Sequence, residues 1–192
     1  MKGELKMKVI TAPEYYALRN DDVAVFLAGG ITNCEDWQNK VIDCLKRYTS
    51  NITDKLVIFN PRRSEWPSNG DLEEVRRQIH WEADYICKCN IFSMYFTNTK
   101  DSDQPICFYE LGRYTQGRDI ISYQEGFRRA LDVDIQMEIL CPGIKVNKNI
   151  TPEQHAELIF KKYKEWVEPY NDEDGSGYHN SRNAAYRRGY RR

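Results

Sequence analysis

Two acids stand out in this sequence because of what surrounds them. Glu110 lies in Pro105-Ile106-Cys107-Phe108-Tyr109-Glu110-Leu111-Gly112-Arg113-Tyr114, which follows an apolar run, Ile91-Phe92-Ser93-Met94-Tyr95-Phe96, and a polar loop from Thr97 to Gln104. The run is short and β-rich enough for a buried parallel strand, so strand, loop and helix start succeed one another. In an open α/β sheet ligands bind beyond the carboxyl ends of the strands. The sequence places Glu110 in the first turn of the helix that opens onto that crevice. There, unpaired backbone N–H groups and the positive end of the helix hold a carboxylate ionised, which makes Glu110 a nucleophile candidate. An acid in a first turn is also simply a favourable helix start, so Glu110 gains weight only from what else the chain supplies.

Glu82 supplies the second acid. Residues 71–88 read as a helix capped by Asp71, with Leu72, Val75, Ile79, Ala83 and Ile86 as its apolar stripe. At about 100° per residue, Glu82 falls about 60° from the centre of that stripe and Asp84 about 140°. Glu82 is thus a half-buried acid whose ionised form is disfavoured, as a general acid requires, and Gln78 is its neighbour one turn earlier. Alone it would read as a border charge reaching out to water. Two carboxylates on separate helices beside one crevice are the equipment of glycosyl transfer: one attacks the anomeric carbon and the other protonates the leaving group.

The elements that must position these acids follow from the pattern. Residues 22–28 form a short apolar run that stops at Gly29-Gly30, after which Asn33 caps a helix with Trp37, Val41, Cys44, Leu45 and Tyr48 on its packing face. The glycine pair lets backbone approach a ligand closely, but it lacks the G-x-G-x-x-G spacing of a dinucleotide fingerprint. Residues 56–59 are a second strand, ended by Asn60-Pro61-Arg62-Arg63, where the proline keeps the chain extended and sets Asn60 and Arg62 on the ligand-facing edge. Residues 91–96, 119–123 and 137–141 are expected as further strands, with a short helix or mixed segment over 127–136. A capping box, Thr151-Pro152-Glu153-Gln154, opens a closing helix packed by His155, Ile159, Tyr163, Trp166 and Val167. The alternation of strands and helices predicts an α/β fold: a doubly wound, flavodoxin- or Rossmann-like parallel sheet of about five strands with helices on both faces.

The composition bounds the rest. With 192 residues, 41% hydrophobic, 30% charged and a net charge of -1, the chain reads as one globular domain over residues 1–170 with no overall preference for nucleic acid or membrane. Residues 171–192 shift to Gly, Ser, Asn, Tyr and Arg, a flexible basic tail whose Arg182, Arg187, Arg188, Arg191 and Arg192 offer at most a weak anion or nucleic-acid contact. No apolar run spans a bilayer and Met1 to Lys8 lacks a signal-peptide core, so a cytoplasmic location is expected. Six scattered cysteines and three scattered histidines give no metal-ligand spacing and no disulfide framework, and no cofactor is expected.

Taken in order, Phe26-Leu27-Ala28-Gly29-Gly30-Ile31 with Trp37, Phe59-Asn60-Pro61-Arg62-Arg63, Gln78-Ile79-His80-Trp81-Glu82, Pro105 through Tyr114, and Gly126-Phe127-Arg128-Arg129 with Asp132-Val133 resemble the nucleoside 2-deoxyribosyltransferase-like family over roughly residues 22–142. The resemblance implies a deoxyribosyl ester on Glu110 and Glu82 assisting the departing base, with Asp84 as the alternative because some members carry Asp there. It also implies a substrate site that includes Gly29, Gly30, Trp37, Asn60, Arg62 and Gln78, and a homo-oligomer, dimer or higher, with shared active sites. In that assembly Asp132, standing where Asn is usual, reaches a neighbour's sugar site. The implied activity is cleavage of the N-glycosidic bond of nucleosides or their monophosphates, the sugar passing to another base or to water. The competing readings are a nicotinamide-nucleotide glycohydrolase and a catalytically silent nucleotide-binding regulator.

Overall fold

A computed structural model describes residues 6–50, 52–64, 71–115, 117 and 119–167; the basic tail expected at the end lies outside the described residues. Five parallel strands, β1 (Lys8–Thr11), β2 (Val23–Gly29), β3 (Leu56–Asn60), β4 (Ile91–Phe96) and β5 (Ile120–Tyr123), form one sheet in the order β1-β3-β2-β4-β5. Five helices accompany them: α1 (Trp37–Thr49), α2 (Leu72–Lys88), α3 (Pro105–Tyr114), α4 (Ala130–Leu140) and α5 (Pro152–Val167). This is the doubly wound arrangement that the alternation of elements predicts.

Both faces of the sheet are covered, which is why its strands read as unbroken apolar runs. Along β2, Ala24, Phe26 and Ala28 face the core beneath α2, α3 and α4, while Val23, Val25 and Leu27 face the core beneath α1 and α5. The chain leaves β2 through α1 toward β3, then returns through α2 to β4 on the other side of β2, and continues through α3 to β5. Adjacent strands β2 and β4 therefore send their connections in opposite directions, and a crevice opens between their carboxyl ends.

Four local expectations are corrected. The strand expected at 137–141 is the end of α4. Leu131, Val133, Ile135, Met137 and Ile139 alternate like a half-buried strand, but the place beside β5 is taken by Asn147, which bridges Ser122, accepts from Tyr123 N and donates to Ile121 O. The missing strand is instead β1, too short and too mixed to announce itself. Helix α1 is capped by Asp36, whose carboxylate accepts from Asn39 N, rather than by Asn33, which sits in the left-handed region. On α2 the inward face is Gln78, Trp81, Tyr85 and Ile86, while Leu72 and Ile79 are exposed, because the aromatic rings of Trp81 and Tyr85 pack on Phe59.

Helix α5 closes the second face. Its capping box is complete: Thr151 N donates to Gln154 Oε1 at 2.9 Å and Gln154 N donates to Thr151 Oγ1 at 3.3 Å. One turn on, fully buried His155 shares hydrogen bonds with Ser93 Oγ of β4 (2.7 Å) and Ser122 Oγ of β5 (2.8 Å). Burial pushes the imidazole from 6.5 down to about 3, so the folded protein holds it neutral where the unfolded chain takes up a proton. The native state is therefore expected to lose stability as the pH falls from 6.5 toward 3, by up to about 1.4 kcal/mol per pH unit from this one group. Urea unfolding midpoints checked at pH 7, 6 and 5 should fall more steeply for the wild type than for His155→Gln; equal slopes would show that another group governs the acid limb.

Candidate active site

The floor of the crevice is built by β2. Gly29 has φ +148, and a Cβ there would run into the Tyr95 carbonyl and the Trp37 ring. At Gly30 a Cβ would lie 2.5 Å from both Cys34 Sγ and Gln104 Oε1. Both glycines thus answer to close packing by the protein itself. Trp37 lies beneath them, fully buried, with its indole N–H donating to Gly30 O at 3.0 Å and its ring 5.0 Å from that of Tyr95. It offers no surface to a substrate and acts on the site by fixing the turn.

One wall is the loop after β2, and Arg62 holds it. Pro61 keeps the chain extended past β3, and the buried Asn60 side chain accepts from Arg62 N at 3.0 Å. This turns the guanidinium inward. Its Nε donates to Gln38 Oε1 at 2.9 Å, and one terminal nitrogen reaches the carbonyls of Gly30, Ile31, Cys34 and Glu35 at 2.8 to 3.4 Å. An ion pair with Asp36 at 3.4 Å adds to the clamp. The cation expected at a ligand is thus the organiser of residues 30–36.

The two acids come from α2 and α3. Asp71 caps α2 by accepting from Glu73 N and Glu74 N at 3.0 and 3.4 Å, and Trp81 Nε1 ties the helix to Glu14 O at 2.7 Å. On its inner side Gln78 Nε2 donates to Glu82 Oε1 at 2.7 Å. Asp84 points the other way, its side chain 71% exposed and paired with Lys88 at 3.4 Å. Helix α3 starts from Gln104, a buried residue with φ +52 whose amide brackets Thr97, accepting from its N–H at 3.3 Å and donating to its carbonyl at 2.8 Å. Sequence reading overlooked Gln104, although a polar residue just before a helix-opening proline was the available signal.

Glu110 is not in the first turn of α3. The helix begins at Pro105, so Glu110 stands in its second turn beside the buried Cys107 and Leu111, beyond reach of the unpaired N–H groups. Its electrostatics are accordingly the reverse of those expected. Burial first, and the nearby charge of Glu82 second, push its carboxyl from 4.5 up to about 8. Glu82 is also raised by burial, against the opposing effects of the Gln78 hydrogen bond and the Arg63 charge. At neutral pH Glu110 thus keeps its proton, which must leave it before that oxygen can attack.

Asp132 lies in the first turn of α4, half exposed and ion-paired with Arg129 at 2.9 Å; no contact among the described residues joins it to Glu82 or Glu110. An open cavity of about 650 Å³ bounded by Met137, Ile144, Val146 and Asn147 likewise includes neither acid. No cluster of His, Cys, Asp and Glu able to hold a metal exists among the described residues, and no helix among them is long and apolar enough to cross a membrane.

The molecule is thus a doubly wound α/β protein in which the acids of α2 and α3 come close enough for the charge of Glu82 to act on Glu110. A family model described as nucleoside 2-deoxyribosyltransferase like matches residues 22–127, from the start of β2 to the turn beyond β5, and so takes in both acids. The chain belongs to that family, whose broad chemistry is glycosyl transfer. No curated protein matches it.

Proposed function

We propose that this protein cleaves the N-glycosidic bond of 2′-deoxynucleosides through a glycosyl ester on Glu110. Attack requires the proton that Glu110 holds at neutral pH to pass to Glu82; a Glu110 oxygen then bonds to C1′ as the C1′–N bond breaks, the bond's electron pair leaves with the base, and the proton goes from Glu82 to the base nitrogen. A second base or water then attacks C1′ and frees Glu110. The observation that carries this reading is the half-buried placement of two acids, Glu82 on α2 and Glu110 on α3, close enough for the charge of Glu82 to act on Glu110. Gly29, Gly30, Trp37 and Asn60 shape its floor and edge without touching substrate.

Among the described residues, four arginines of the crevice segments are each turned onto groups of the protein, which favours a free nucleoside over a monophosphate as the substrate. Arg62 is turned onto carbonyls of its own loop, Arg63 pairs with Gln78 and Glu74, Arg128 with Asp103, and Arg129 with Asp132. The test is chromatography of products from deoxynucleosides, their monophosphates and NAD, with and without a free base. Base release or exchange from deoxynucleosides, absent in Glu110→Ala, is the expected result. Nicotinamide release from NAD alone would favour the glycohydrolase reading, and no turnover of any of them would favour a silent binder.

The working unit is an oligomer joined through α4. Val133 and Met137 face the core, which leaves Leu131, Ile135 and Ile139 outward at 68%, 46% and 71% exposure. A helix apolar on both sides belongs between two packed layers. A second copy on that face would bring Asp132, next to Leu131, toward a neighbouring crevice. The double variant Leu131→Asp, Ile135→Asp is expected to sediment as a monomer while the wild type does not. A wild type that is monomeric at micromolar concentration by analytical ultracentrifugation would refute the assembly.

A further inference from the structure

Gln78 is buried, and its amide is engaged on both sides by the protein. Its Oε1 accepts from Arg63 Nε at 2.8 Å, while its Nε2 donates to Pro61 O at 2.9 Å and to Glu82 Oε1 at 2.7 Å. The orientation of the amide is dictated by these neighbours. An arginine can only donate and a backbone carbonyl can only accept, so the flipped amide would set N–H against N–H and oxygen against oxygen. Gln78 therefore meets Glu82 only as a donor.

A protonated carboxyl has one O–H and one acceptor oxygen. We propose that Gln78 is a positioning residue that makes Oε1 of Glu82 the permanent acceptor and confines the acid proton to Oε2. The chain Arg63, Gln78, Glu82 thus decides which oxygen donates. As the O–H bond at Oε2 breaks and its proton passes to the base, negative charge spreads to Oε1, where the Gln78 N–H already waits. That hydrogen bond strengthens as the charge appears, so its contribution falls on kcat rather than on KM. This rests on the reading of Glu82 as the acid.

The test uses the full chain and two substrates: deoxyadenosine, whose base needs a proton to leave, and an N7-methylated purine deoxynucleoside, whose cationic base departs neutral. Gln78→Met, similar in length but without a donor, should lower kcat on deoxyadenosine roughly 10- to 100-fold with KM little changed, and leave the methylated substrate nearly untouched. Arg63→Met, which removes one of the two contacts that orient the Gln78 amide and leaves Pro61 O as the other, should show a smaller loss with the same substrate dependence and covers the case in which Gln78→Met does not fold. A readout independent of turnover is an NMR titration of the Glu82 carboxyl. Losing the donor to its charged form should raise its titration in Gln78→Met, with the charges that face it, Arg63 from the segment after β3 and Glu110 from α3, still in place.

Equal losses on both substrates, or a rise in KM alone, would overturn the positioning role and make Gln78 a structural or substrate-contact residue. Should Glu82→Gln itself show no dependence on the leaving group, the acid reading fails, and the titration then decides by itself. A shift in Gln78→Met keeps Gln78 as the group that sets the Glu82 proton, and no shift overturns it.

Discussion

Glu110→Gln is expected to abolish turnover, by at least ~10³-fold, and at the same time to make the protein more stable at neutral pH. The first effect follows from losing the attacking oxygen. The second follows from the position of the acid. The Glu110 carboxyl titrates near 8 in the folded protein against an ordinary value of 4.5. Between these values the unfolded chain ionises and the folded one keeps its proton. The folded state is thus fully favoured below 4.5 and progressively loses that advantage as the pH rises to 8. A neutral amide removes the penalty, worth on the order of 3 kcal/mol at pH 7. Thermal melts should place the variant above the wild type at pH 7.5, with the gap closing by pH 4.5. Mass spectrometry should find a sugar adduct on the wild type alone. A variant that still cleaves, or one less stable at pH 7.5 than at pH 4.5 relative to wild type, would refute this account of the residue.

Arg62→Leu is the second large effect. The substitution strips the donor from the carbonyls of Gly30, Ile31, Cys34 and Glu35 and from Gln38 Oε1. Buried acceptors left unpaired cost about 1–3 kcal/mol each when water cannot reach them. With partial relaxation we expect a loss of ~2–4 kcal/mol in urea unfolding and a collapse of activity on nucleosides and monophosphates alike. Selective loss of activity on monophosphates, with stability intact, would instead make Arg62 a phosphate contact.

The course of the sheet was legible because β2, β3, β4 and β5 are continuous apolar runs with breakers at their ends. The half-buried setting of Glu82 stands although the stripe that suggested it does not: the inward face turned to Gln78, Trp81, Tyr85 and Ile86, and Glu82 borders that face as it bordered the expected one. What sequence periodicity could not supply was register and partner. Glu110 shifted by a turn because the helix starts at Pro105, and one turn separates a carboxylate stabilised by backbone N–H groups from one buried against another acid. The work of Arg62 and Trp37 is done on backbone carbonyls far away in sequence, for which no residue type is a marker. In α4 the period-two pattern from Leu131 to Ile139 carried the wrong structure, because the neighbouring Asn147 had already taken the edge of the sheet.

The inward turn of Arg62 has a consequence for recognition. Residues 30–36 are tied down by a cation of the same chain, so their conformational entropy is surrendered when the protein folds and not again when a nucleoside arrives. Binding then meets a finished wall. Affinity is set by fit and by the hydrogen bonds of the sugar, and a poorly matched ligand cannot recover by remoulding the loop around itself.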